Sequence, residues 1–250
     1  MVEAIHSGGN SKMRTVAFYL YFFGYLFYSI PFVNKIKKRQ ETTLSVEEQD
    51  KLDQVLPKRW ASTLVKISGA NVTVTGEENI PDGPVLFVSN HEGNFDIPIL
   101  ISGLKKPLGF ISKIEVKKIP VVSKWMEVMH CVFMDRKDRR QSIKAIRQGI
   151  ELIKQGHSIV VFPEGTRSQG GPVQEFKAGS LRLGTDAKVP IVPVAIKGTS
   201  TIMEKNKGWI KPGDVTISIL PALTYEEYSQ LDAKEMLANI QTSIIEARGK

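Results

Sequence analysis

The stretch Val85-Leu86-Phe87-Val88-Ser89-Asn90-His91-Glu92-Gly93-Asn94-Phe95-Asp96 decides the fold and carries the chemistry. Its first five residues form a short apolar run between Pro84 and polar residues, the pattern of a buried β-strand. His91 then lies just past the strand's carboxyl end, where open α/β sheets place their ligand sites. Asp96 precedes Ile97-Pro98, and an acid at the cap with Pro in the first turn starts a helix. Residues five apart on one helix diverge, so pairing His91 with Asp96 needs a loop, for which Gly93 is the flexible point. Such a pair has a use: a carboxylate on one imidazole nitrogen fixes the tautomer, and the other nitrogen can take a proton from an alcohol. The bland alternative is a loop histidine beside a helix-capping aspartate. With four histidines in the chain, the spacing alone is weakly specific.

Outward from this stretch, short apolar runs alternate with helical segments. Val72–Val74, Leu108–Ser112, Cys131–Met134, Ser158–Phe162, Ile191–Ile196 and Val215–Leu220 read as further strands. Ser142–Lys154 carries Ile143, Ile146, Ile150 and Ile153 on one helical face and stops before Gly156. Residues 226–247 close with another helical pattern. The expected fold is α/β, a mixed, partly parallel sheet flanked by helices, over residues 70–250. Val189-Pro190-Ile191-Val192-Pro193-Val194-Ala195 is rich in proline, which suits an edge or bulged strand.

The amino-terminal part differs in kind. Residues 1–11 are short, polar and glycine-containing, and read as disordered. Thr15 to Val33 is nearly all apolar and uncharged, with nine aromatic residues from Phe18 to Phe32. As a helix it would be about 28 Å long, just enough to cross a bilayer. Its tyrosines prefer the membrane–water boundary, and Lys12, Arg14, Lys35, Lys37, Lys38 and Arg39 flank it on both sides. No small-residue cleavage site follows, so a signal peptide is not expected. A second helix is predicted over Val46–Ile67, with Ser45 and Glu48 as a capping box and a kink at Pro57. Residues 12–69 are therefore read as a membrane-embedding helical pair that enters one leaflet, with a true transmembrane anchor as the alternative.

The 250-residue chain has a net charge of +8, which favours a polyanionic partner such as an anionic membrane, a phosphorylated substrate, an acidic carrier protein or nucleic acid. A lone Cys131 excludes an intrachain disulfide, and widely spaced histidines argue against zinc. No metal or redox cofactor is expected. Two further strand ends carry candidate groups. Ile159–Phe162 runs into Pro163-Glu164-Gly165-Thr166-Arg167-Ser168, where Gly165 lets backbone approach a ligand, Thr166 can donate and Arg167 can fork onto a phosphate. Glu164 is open to three roles: holding Arg167, bracing the loop or bonding a substrate hydroxyl. Glu-Gly-Thr-Arg is the more specific signal, expected in about one random chain of this length in several hundred. Cys131–Met134 ends at Asp135-Arg136, and Arg136 beside Arg167 would make a second phosphate clamp. Lys113 lies upstream among lysines of the kind usually solvated at a surface.

Taken in order, Asn90-His91 with Asp96, Phe133-Met134-Asp135-Arg136, Phe162–Ser168 and Val189–Val194 resemble the four blocks of the glycerolipid acyltransferases. Among these the likeness is greatest to the lysophosphatidate (1-acyl-sn-glycerol-3-phosphate) acyltransferases of the PlsC type. The resemblance spans roughly residues 70–220, and Gly93 departs from it where many members carry Ser. It implies transfer of a fatty acyl group from acyl-acyl carrier protein or acyl-coenzyme A to the sn-2 hydroxyl of lysophosphatidic acid, on the cytoplasmic face of a membrane and without nucleic acid. His91 would be the base and Asp96 its orienter. Arg136, Arg167, Gly165, Thr166 and Lys113 would bind substrate, and Glu164 would position the glycerol. A backbone amide at Gly165 or Gly93 is the candidate oxyanion donor. Glycerol 3-phosphate, another lysophospholipid, or a non-catalytic basic membrane- or nucleic-acid-binding module stay open as alternatives.

Overall fold

β1 (Asn71–Thr75), β2 (Leu86–Ser89), β3 (Gly109–Lys113), β4 (Val132–Met134), β5 (Ile159–Val161), β6 (Ile191–Lys197) and β7 (Asp214–Ile219) form one sheet in the order β1-β7-β6-β2-β5-β3-β4. The coordinates are a computed structural model that describes residues 2–38 and 43–249, with the backbone alone for residues 2–10. All neighbouring strands run parallel except β6 and β7, which are antiparallel. The mixed, partly parallel sheet expected from the alternating pattern is therefore present. Five adjacent strands, β6, β2, β5, β3 and β4, deliver their carboxyl ends to one edge, and every candidate site residue lies at or just past one of those ends.

β6 is not an edge strand despite its prolines. It sits between β2 and β7. Val194 pairs with Ile219, whereas Ile191 meets Leu223, so three steps along β6 match four along its partner. This is a bulge opposite Pro193. The missing Pro193 N–H falls where the ladder is already broken, while its carbonyl accepts from the Leu220 amide at 2.9 Å.

Helices cover both faces, as the apolar faces of the strands require. On one side lie α1 (Val2–Lys37), α3 (Val55–Ser68) and α4 (Asp96–Gly103), packing Phe18, Leu64 and Ile99 onto Phe87, Phe110 and Val192. On the other, α6 (Arg139–Lys154), α7 (Arg182–Thr185) and α9 (Ala233–Arg248) pack Ile153, Leu183 and Ile240 onto Leu86, Val161 and Ile191. Three short helices, α2 (Val46–Asp53), α5 (Val122–Val128) and α8 (Tyr225–Tyr228), complete the set.

The amino-terminal segment departs from expectation in two places. The backbone of α1 starts at Val2, within the stretch read as disordered, because extending an existing helix costs far less than starting one. The second helix is broken at Gln54 into α2 and α3. Pro57 cannot donate to the Asp53 carbonyl, so the helical ladder fails there. The Ser45–Glu48 capping box is present. The flanking Arg39 lies outside the described residues. Ser11–Lys37 is long and apolar enough to cross a membrane, and only 17% of its apolar window is buried.

α2 is latched to the opposite edge of the sheet by a buried carboxylate. Asp50 Oδ2 bonds His157 Nδ1 at 2.7 Å, and Asp50 Oδ1 lies 3.3 Å from His130 Nε2. Burial pushes the Asp50 carboxyl up, but the bonds from both histidines outweigh it and hold its pKa below the ordinary carboxylate value. A depressed carboxyl stabilises the fold fully above its unfolded pKa, about 3.9, and the contribution drains away as pH falls toward the lower folded value. Asp50→Ala is expected to cost about 1–3 kcal/mol at neutral pH. Urea unfolding of variant and wild type at a series of pH values should show the gap closing in acid.

Candidate active site

The loop after β2 turns back on itself, and α4 begins at Asp96. His91 Nδ1 meets Asp96 Oδ2 at 2.6 Å. The same oxygen accepts from the amides of Glu92 at 2.7 Å and Gly93 at 3.1 Å, and Asp96 Oδ1 accepts from the Thr199 hydroxyl. Asp96 is fully buried and the His91 side chain 16% exposed. The imidazole stacks on Phe162 with ring centroids 4.1 Å apart. With Nδ1 engaged, Nε2 is the nitrogen left for a substrate, and His91 lines a cavity of about 620 Å³.

That cavity gathers most of the expected residues. Lys113, Arg136, Gly165, Thr166 and Arg167 line its polar end with His91 and Asn94. The Arg136 guanidinium donates to the Gly165 carbonyl, and Arg167 donates to Asn94 Oδ1. Lys113 is exposed and pairs with Glu115 at 3.0 Å. Away from these groups the wall is apolar and comes from α1, α3 and α5, including Phe22, Leu26, Trp60 and Trp125. Cys131 also lines it, but burial pushes its thiol up to about 12, which removes the thiolate an acyl-enzyme would need.

Glu164 plays a different part from the one expected of it. Its Oε1 accepts from the His91 amide at 2.5 Å and its Oε2 from the Gln174 amide at 2.7 Å. It is buried beneath the loop and does not line the cavity, so among its three open roles it is the brace. Burial raises its pKa against the opposing pull of those two amides. The candidate oxyanion donors are also already bonded. The Gly93 amide serves Asp96, and the Gly165 amide serves the Phe162 carbonyl at 3.0 Å.

Several contacts around the dyad are not legible in the sequence. Asn90 spans the β2–β6 gap, its Oδ1 accepting from Ile196 N at 2.7 Å and its amide donating to Ile196 O at 2.8 Å. Glu92 accepts from Gly198 N at 2.9 Å and from the Ser200 hydroxyl at 2.5 Å. Glu204 accepts from Asn94 N at 2.7 Å. The rule that located His91, a strand's carboxyl end, applies equally to Gly198-Thr199-Ser200 after β6 and would have flagged them.

Among the described residues, one other group brings metal-binding atom types together. Donor atoms of Asp50, His130 and His157 lie within 4.8 Å of one another, so the histidines are less scattered than their linear spacing implies. Their rings stack with centroids 3.5 Å apart and planes 21° apart. No point about 2 Å from both nitrogens lies in both ring planes, as coordination requires. The nitrogens bond the Asp50 carboxylate instead.

A buried His–Asp pair at the carboxyl edge of a mixed sheet, opening on a cavity lined by two arginines and many apolar side chains, is the arrangement of an enzyme. The chain belongs to the acyltransferase family, whose model matches residues 71–197. A Mycoplasma genitalium protein named "Probable 1-acyl-sn-glycerol-3-phosphate acyltransferase" is 36% identical over 201 residues, covering 76% of this chain and 75% of that protein. A Mycoplasma pneumoniae protein of the same name is 41% identical over 154 residues, covering 60% of this chain and 58% of that one. The crystal structure of the 1-acyl-sn-glycerophosphate acyltransferase PlsC from Thermotoga maritima superposes with a TM-score of 0.77 at 28% identity, over 96% of this chain and 98% of that one.

Asp96→Asn tests the dyad with little disturbance of the loop. An asparagine can turn its oxygen to the His91 side, where three donors converge, and its amide to Thr199. The imidazolium would lose its counter-charge. Turnover is expected to fall by about two to four orders of magnitude, with a melting temperature close to wild type, as a steady-state assay and calorimetry on the same preparation will read.

Proposed function

We propose that this enzyme moves a fatty acyl group from an acyl thioester to the sn-2 hydroxyl of lysophosphatidic acid, giving phosphatidic acid. One observation carries the reading. The cavity joins the His91–Asp96 dyad to two arginines at one end and to an apolar wall at the other. An amphipath with a phosphate head and an acyl tail fits both ends at once. His91 Nε2 takes the proton of the hydroxyl as its oxygen attacks the thioester carbonyl. The carbon–sulfur bond then breaks, and the imidazolium returns the proton to the thiolate. Asp96 holds the tautomer and balances the imidazolium. Arg167 and Arg136 grip the phosphate, with Lys113 at the rim. The donor is acyl-acyl carrier protein or acyl-coenzyme A, both acidic, as the net charge of +8 favours. The names of the relatives agree with this acceptor.

The lipid substrates place the site at a membrane surface, and we read that surface as the cytoplasmic leaflet. Val16, Leu20, Phe23 and Phe27 of α1 are each more than half exposed, an apolar face suited to acyl chains. The opposite face is fastened to the rest of the protein between Ser11 and Lys37. Ser11 and Thr15 bond the backbone of Ile210, Tyr25 bonds the Leu56 carbonyl, and Ser29 accepts from Trp125 at 2.8 Å. Lys37 pairs with Glu127 at the far end. A helix so bound cannot stand across a bilayer unless those partners enter it too, which favours entry into one leaflet over a span.

Wild-type protein in mixed micelles should convert lysophosphatidate with at least one of the two donors. His91→Ala should be folded and without turnover, and Arg167→Lys should raise the KM for lysophosphatidate about tenfold, or about 1.4 kcal/mol, with the donor KM little changed. Activity retained in folded His91→Ala would remove the assignment. Separately, single cysteines at Met13 and Lys37, in a Cys131→Ser background, should both react with an impermeant maleimide from the same side of sealed vesicles. Labelling from opposite sides would show a span.

A further inference from the structure

We infer that Glu204 is a positioning residue for the acceptor's headgroup, acting through Arg167 and Asn94. The inference rests on the proposed function, because it needs an acceptor whose phosphate Arg167 binds.

Glu204 comes from the turn that follows β6 and reaches under the loop that carries His91. Its Oε1 accepts from the Asn94 amide at 2.7 Å and lies 3.5 Å from Arg167 Nη1. Arg167 also donates to Asn94 Oδ1. Asn94 is thus held on its backbone by Glu204, and its side chain meets the guanidinium that Glu204 attracts. Both Asn94 and Arg167 line the polar end of the cavity, whereas Glu204 itself is 9% exposed and outside the lining. Its role is therefore to set the direction of another group. A free arginine side chain loses rotamer entropy when it is fixed. A guanidinium already held at the cavity has met much of that cost before the phosphate arrives.

The second oxygen shows that this carboxylate is not merely a packing element. Glu204 Oε2 is buried and has no partner among the described residues. Burying an acceptor unbonded is unfavourable, and such groups persist where another demand outweighs stability. Space for it exists because residue 93 is glycine. A Cβ there would lie 2.7 Å from Glu204 Oε2. The glycine that departs from the family pattern and the buried acid are thus two halves of one arrangement, 111 positions apart in the chain.

The test is a kinetic one on full-length protein with lysophosphatidate as the probe. Glu204→Gln can keep the oxygen that accepts from Asn94 and removes the charge that holds Arg167. Its KM for lysophosphatidate is expected to rise about tenfold, with kcat and the donor KM within about twofold of wild type. On an Arg167→Lys background the same substitution should add little, since its effect runs through the arginine. Gly93→Ala gives an independent approach. It should raise the same KM by displacing the carboxylate, yet add nothing once Glu204→Ala has emptied the space. An unchanged acceptor KM in Glu204→Gln overturns the inference, as does an equal fall in kcat and rise in both KM values, the mark of a structural role. Full additivity with Arg167→Lys also overturns it. If wild type fails to use lysophosphatidate at all, the proposed function fails first. If wild type uses it and Glu204→Gln matches wild type, only this inference is lost.

Discussion

The burial of the Asp96 carboxyl group is the constraint on which the rest depends. An ionised carboxyl taken from water costs several kcal/mol unless donors surround it. Asp96 has His91, two amides of its own loop, and the hydroxyl of Thr199, which lies 103 residues further along. The last donor can arrive only if β6 lies beside β2 with its carboxyl end on the same edge. The strand order and the parallel sense of this pair are therefore also what solvates the dyad. Asn90 repeats the logic one step earlier, bonding Ile196 in the manner of a strand residue where β2 has already ended.

The same solution recurs around the site. The strands stop at the edge, and the loops beyond them have no ladder to hold them in register. Acid side chains provide one. Glu92 ties its loop to the turn after β6, Glu164 ties the β5 loop to the His91 amide, and Glu204 ties its turn to Asn94. Each bond runs from a backbone N–H to a carboxylate, a stronger contact than one between neutral groups. The site thus gains rigidity from polar bonds while its cavity wall stays apolar. The cost is that buried carboxylates must each be matched, and Glu204 Oε2 is not.

How far the sequence discloses this follows from the range of each interaction. The strands are legible because each leaves a local mark, a short apolar run where both faces are buried and an apolar–polar alternation in β1 and β7. The capping box at Ser45 is legible for the same reason. The interior position of β6 is not, because Pro193 is tolerated by a bulge whose extra residue belongs to the partner chain segment near Pro221. His91 and Asp96 stand out because they share one short strand-to-helix turn, and Arg167 because it closes Glu-Gly-Thr-Arg just past another strand. Glu164 stands out too, but its role is set by amides at residues 91 and 174, which no local pattern reveals. Glu92 and Glu204 are ordinary surface residues by composition. Only folding brings them to partners more than a hundred residues away. The meeting of Asp50 with His130 and His157 is invisible for the same reason.

Helix α1 links the interior chemistry to the exterior of the protein. Phe22, Tyr25, Leu26 and Ser29 on one side of it wall the cavity, while Leu20, Phe23 and Phe27 on the other meet solvent. The same turns therefore face two surroundings, and one helix thickness, about 10 Å, separates them. On the proposed reading both surroundings are hydrocarbon, one a bound acyl chain and the other a leaflet. This arrangement answers the main energetic difficulty of acting on a long-chain lipid. Carrying its tail through water costs about 0.8 kcal/mol for each methylene exposed, far more over a whole chain than the headgroup contacts could return. With α1 laid along the leaflet, the tail moves between two apolar phases and only the phosphate changes partners. The arginines at the cavity's polar end then need to recognise a headgroup rather than to extract a lipid.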